Sequence, residues 1–283
     1  MLRQIRRYDR VGSQITRLSR AELFAGLFIL GCANGLAARI GQSVDEHGWL
    51  GAVLNTFNIS IIVLFACFAG VSFILRDRTD EIRSADTAVS VVFLMLVIVP
   101  ITSLSWLAVT ALSLYILVFT DAGQSGRRGA MILLATTVPM LWSRLLFDLF
   151  TKYILEIDAA LVGWMLGTHR TGNTVQFADH SGNLAIWPAC SSLANMSLAF
   201  LCWVTISQSV RHKWRPQDIL WGLFACSSVI AVNVTRMSLM GLSRTHYDAI
   251  HSHLGDEIAG TIILIFTVGI SVLGVRREVF SRA

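Results

Sequence analysis

The 283 residues are 54% hydrophobic and only 14% charged, with a mean hydropathy of +0.62. A water-soluble globular chain carries about a quarter charged residues, so this composition excludes that class and points to an all-α integral membrane protein with one helical domain. The net charge of +5 comes from short basic clusters between apolar runs, not from one basic face, so no nucleic-acid partner is expected.

Six arginines precede the first apolar run, in "MLRQIRRYDRVGSQITRLSR". A cleaved leader would have a shorter apolar run ending in small residues. With so many later spans, residues 22–38 read as an uncleaved first membrane helix. Eight spans are expected, at roughly 21–38, 50–75, 87–104, 105–120, 129–149, 187–208, 217–237 and 256–275, each near the ~20 residues that a bilayer needs. The third and fourth share one apolar stretch, which Pro100, Thr102, Ser103 and Ser105 divide with a turn. Arginines and lysines then gather on one side: in residues 1–20, at Arg76, Arg78 and Arg83, at Arg127 and Arg128, at Arg211, Lys213 and Arg215, and at Arg276, Arg277 and Arg282. Both termini are therefore placed in the cytoplasm of a plasma (inner) membrane protein. Arg39, Arg144, Lys152, Arg170, Arg236 and Arg244 fall elsewhere.

Residues 150–186 form the longest stretch outside these spans. To Leu166 the apolar spacing is helical, interrupted by Lys152, Glu156 and Asp158, as in an amphipathic segment on the outer bilayer surface. After Gly167 the composition reads as turns or a short hairpin.

The sixth span opens on "WPACSSL". Pro188 suits a first helical turn, which would put Cys190 at a helix N-terminus beside Ser191 and Ser192. Unpartnered amides there favour a negative group such as a thiolate. The seventh span contains Asn233 and Arg236, three apart and so expected on one face. From Cys190 to Arg211 is about 32 Å of helix and from Pro216 to Arg236 about 30 Å. Two antiparallel spans joined by a short loop therefore bring Cys190 and Arg236 to similar depth on the outer side. His246, His251 and His253 follow at the same level. A thiol, a guanidinium and an imidazole are the parts needed for acyl transfer.

At these residues the chain resembles the exosortase/archaeosortase family of membrane transpeptidases or proteases. The matching motifs are Ala189-Cys190-Ser191-Ser192-Leu193, Asn233-Val234-Thr235-Arg236, and His251 with Gly255, with "GTHRTGNTVQF" upstream. Ser192 departs from the family's usual glycine, and His253 competes with His251 for the working imidazole. The resemblance covers about residues 130–275. It implies a basic segment 1–20, scaffold helices 21–128, a catalytic core 129–275 and a basic tail 276–283. It also implies Cys190 as nucleophile forming a thioester, His251 as acid/base and Arg236 as oxyanion or substrate holder. Asn233, Ser191 and Ser192 would support them. The substrate would be a secreted protein with a C-terminal sorting signal: a short motif, a transmembrane helix and a basic end. Membrane lipids are the other expected partners, and no cofactor or metal is expected.

Taken singly, each residue has a plainer reading. Cys190 can be a packing cysteine, Arg236 a snorkelling anchor, Asn233 an interhelical hydrogen-bonder, and the histidines loop residues. Two rival functions stand beside thiol chemistry. A transporter or lipid-handling protein would show charges paired near mid-membrane. A zinc hydrolase would use the histidines, although H-E-x-x-H is missing.

Overall fold

The computed structural model describes residues 18–77, 81–210 and 215–276. The basic clusters expected within residues 1–17, at Arg78, at Arg211 and Lys213, and at Arg277 and Arg282 lie outside the described residues. Among the described residues the fold is ten α-helices and one small sheet. The helices are α1 (Arg20–Leu54), α2 (Ile61–Leu75), α3 (Ser84–Ile98), α4 (Thr102–Phe119), α5 (Gln124–Thr137) and α6 (Ser143–Leu166), then α7 (Ser192–Ser209), α8 (Gln217–Met240), α9 (Arg244–Ile250) and α10 (His253–Gly274).

Among the described residues five stretches are long and apolar enough to cross a membrane: Arg20–Leu54, Thr102–Phe119, Gln124–Leu166, Gln217–Met240 and Leu254–Gly274. They suggest a membrane protein, and so does the outward face of the bundle. Ile98, Phe119, Leu149 and Phe68 are all more than two-thirds exposed, which water would penalise and lipid does not.

Local chemistry sets the helix ends. Ser19 caps α1, its Oγ accepting from the Glu22 amide while Glu22 accepts from the Ser19 amide, a reciprocal cap. Helix α1 runs well past the expected end at residue 38 and bends at Gly48, whose φ of 68° suits glycine. The expected span 50–75 is accordingly divided. Its first residues belong to α1, a tight turn at Thr56–Asn58 follows, and α2 begins only at Ile61. Between α3 and α4 the chain is extended at Val99, before Pro100, and at Ile101, as the proline requires. Helices α5 and α6 join through a wide π-type turn at Val138–Trp142, which carries Pro139. The segment 150–166 is not a separate element but the continuation of α6 beyond a bend at Phe150. After Gly167 the expected hairpin becomes a three-stranded antiparallel sheet: β1 (Arg170–Thr171), β2 (Thr174–Gln176) and β3 (Asn183–Ala185).

The described residues form two apolar cores. The larger joins α1 to α5 and reaches α7 at Leu201, with Trp106, Phe28 and Leu133 fully buried. Helices α2 and α5 come together at Gly70 and Gly129. A Cβ on Gly129 would stand 2.6 Å from the Gly70 carbonyl oxygen. The smaller core lies between α6, the sheet and α8, through Leu155, Ala159, Val175, Phe177, Ile186 and Met237.

Charged groups tie one end of the larger core. The Asp86 carboxylate accepts from the Arg20 guanidinium and the Tyr115 hydroxyl, each at 2.8 Å, and from the Arg83 amide at 2.8 Å. Asp77 accepts from the Gly123 amide at the start of α5. From there α5 runs about 21 Å to the turn that carries Val138 and Trp142, which face Leu193 and Met196 of α7 across one groove. The Arg20–Asp86 cluster and the Cys190 turn therefore mark opposite ends of the bundle.

Candidate active site

Residues 187–192 explain themselves locally. Pro188 opens a single tight turn, Pro188–Cys190, in which the Cys190 amide donates to the Trp187 carbonyl at 2.8 Å. Ser191 is extended, and its hydroxyl accepts from the Leu193 amide at 3.3 Å. Serine is a preferred N-cap, so α7 starts at Ser192. This corrects the expectation that Cys190 lies in the first helical turn: it precedes the cap.

A second correction follows for the helix amides. The Ser192 amide donates to Asp158 Oδ2 of α6 at 3.1 Å, and the Leu193 amide is taken by Ser191. The first two donors of α7 thus have partners other than the thiol. From α8, the buried Asn233 side chain donates to the Cys190 carbonyl at 2.8 Å and to Ser192 Oγ at 3.0 Å. The Cys190 turn is therefore held by α6 and α8 together. Asp158 is 4% exposed, and replacing it with alanine leaves a buried amide without its acceptor, a cost of about 1–3 kcal/mol. Asp158→Ala is expected to lower the thermal unfolding midpoint and loosen the turn, speeding alkylation of Cys190 in a protein without the other four cysteines. Asp158→Asn keeps a carbonyl acceptor and should restore most of both properties.

Cys190 is half-buried and opens on a cavity of about 190 Å³. His251 lines the same cavity, with Tyr247, Trp187, Met237 and Met240. His251 ends α9, where its ring lies 5.1 Å from the Tyr247 ring, centre to centre. A thiol and an exposed imidazole from elements 61 residues apart in sequence thus share one small, mainly apolar chamber.

No family model, curated protein or solved structure is similar to this chain. What it can do rests on its own geometry.

Arg236 does not line the Cys190 cavity. Its guanidinium pairs with Asp256 in the first turn of α10, and it faces a larger groove between α8 and α10. The expectation that Asn233 and Arg236 share a face fails for a geometric reason. Three residues turn a helix by about 300°, leaving the two side chains 60° apart. Helix α8 is wedged between α7 and α10, so that gap sends Asn233 to one neighbour and Arg236 to the other. Met237 and Met240, four and seven residues after Asn233, complete the side facing Cys190. His253 is the first residue of α10; its side chain lies outside the described residues. His246 bonds the Ser243 hydroxyl at 2.8 Å and is not among the residues lining the chamber. Among the described residues no group of three or more His, Cys, Asp or Glu is arranged to hold a metal ion.

Asp158, Tyr247 and Met237 were not among the expected site residues. Asp158 did carry a signal: Leu155, Asp158, Ala159 and Val162 have the i, i+3, i+4, i+7 spacing of a buried stripe, and all four are buried. A carboxylate inside such a stripe needs a partner.

Proposed function

We propose that the chain is an exosortase-like membrane cysteine peptidase or transpeptidase that cleaves the C-terminal sorting signal of secreted proteins. The observation that carries this reading is the shared chamber of Cys190 and His251. Cys190 Sγ attacks the scissile carbonyl carbon while the His251 imidazole accepts the thiol proton. Collapse of the tetrahedral intermediate breaks the C–N bond, and the imidazolium returns that proton to the leaving amine. Water or another nucleophile then displaces the thioester, regenerating the thiol. The sorting motif would enter the chamber, with its transmembrane helix alongside the bundle.

In this reading the chain crosses the membrane eight times, at α1, α2, α3, α4, α5 with the start of α6, α7, α8 and α10, both termini are cytoplasmic, and the Cys190 end faces outward. Support comes from the opposite placement of Arg20 and Cys190, because arginines favour the cytoplasmic side. Arg236 acts here as a positioning residue: through Asp256 it holds the start of α10 and the His251–Gly255 segment. Gly255 serves the same junction, since a Cβ there would overlap the Ile250 backbone carbonyl. Gly255→Ala is expected to displace His251 and lower processing on the order of 10²-fold, the scale of a 1 Å misplacement, with helix content unchanged by circular dichroism.

The deciding experiment co-expresses the full chain with a secreted protein bearing the three-part tail and traps the acyl-enzyme. A covalent adduct on Cys190 is expected in the wild type. Under this assignment His251→Ala loses the adduct and His253→Ala keeps it. Arg236→Gln and Asp256→Asn should weaken processing to similar extents, because each opens the same pair. An adduct on another residue, or processing that survives His251→Ala, would overturn the assignment.

A further inference from the structure

Between α8 and α10 runs an apolar groove of about 640 Å³, open on one side. On α10 it extends from Gly255 to Phe266, about 16 Å of helix. On α8 it descends from Leu239 to Ser228. Its depth is close to half of the ~30 Å hydrocarbon core, so it spans the single leaflet nearer Cys190. A transmembrane helix would need a seat through both leaflets.

The charges lie at the Cys190 end. Arg236 lines the groove there with its Nε buried and without a partner among the described residues. Asp256, its ion-pair partner, is half exposed. A cation and an anion side by side above one acyl-length groove match a zwitterionic headgroup. We propose that this groove binds an amine-bearing phospholipid, its phosphate on Arg236, its ammonium on Asp256 and one acyl chain against Ile258, Ile262 and Phe266. The phosphate and ammonium sit beside the ion pair, which stays closed and keeps its hold on the start of α10, so neither side chain is left uncompensated. An anionic lipid without an amine would meet the Asp256 carboxylate instead. This inference does not rest on the thiol chemistry.

The test uses full-length protein in mild detergent, incubated with vesicles of equal phosphatidylethanolamine and phosphatidylglycerol, with retained lipid read by native mass spectrometry. Wild type is expected to retain phosphatidylethanolamine several-fold over phosphatidylglycerol. Asp256→Asn should erase that preference while keeping a bound lipid. Ile262→Trp, at a partly exposed position that tolerates bulk, should displace the chain and lose both lipids. Equal retention of the two lipids by wild type, an unchanged preference in Asp256→Asn, or undiminished lipid in Ile262→Trp would overturn the proposal. So would a polypeptide held in the groove in place of lipid.

Discussion

Cys190→Ala is expected to abolish processing of a tailed substrate, a loss on the order of 10³-fold or more, with an unchanged thermal unfolding midpoint. The fold loses little, because the thiol lines a chamber that is already hollow and its turn is held by backbone groups: the Cys190 carbonyl to Asn233 and the Ser192 amide to Asp158. Cys190→Ser should be nearly as inactive. A hydroxyl needs far stronger base activation than a thiol, and the imidazole that shares the chamber ends a short helix and is exposed. Processing is followed by the size of the secreted protein, and stability by thermal melting in detergent. Full activity in either variant would remove Cys190 from the mechanism.

The largest expected effect on stability lies at the other end of the bundle. Asp86 and Arg20 have side chains 0% and 4% exposed, and Asp86 also receives the Tyr115 hydroxyl. Asp86→Ala leaves a buried guanidinium without its counter-charge, which costs about 3–5 kcal/mol. Asp86→Asn keeps an acceptor and should cost less. The Arg83–Asp121 pair joins the same end but is largely exposed, so Asp121→Ala should leave the melting midpoint where it was. A small effect of Asp86→Ala would mean that water or lipid headgroups reach Arg20 when its partner is gone.

Much of the scaffold was legible in the residues. Pro100 divides α3 from α4 because a proline and its predecessor cannot both be helical there. Antiparallel spans of known rise bring the Cys190 turn level with the last turns of α8, where Asn233 meets it. The rest depended on choices that composition does not record. The cap at Ser191 rather than Pro188 sets the start of α7, because a side-chain cap competes with a preset φ. A 60° offset on α8 decides which helix receives Arg236, and only the packing of α10 against α8 reveals it. The reach of α1 to Leu54 was hidden because "QSVDEHG" is polar, although it stays helical up to Gly48.

The bond from Asn233 to the Cys190 carbonyl spans 43 residues of chain. A growing polypeptide inserted from its N-terminus therefore reaches the translocon with its sulfur long before the amide that steadies it. His251 arrives later still. The chamber that Cys190 and His251 share closes only when the last hairpin of the bundle has docked.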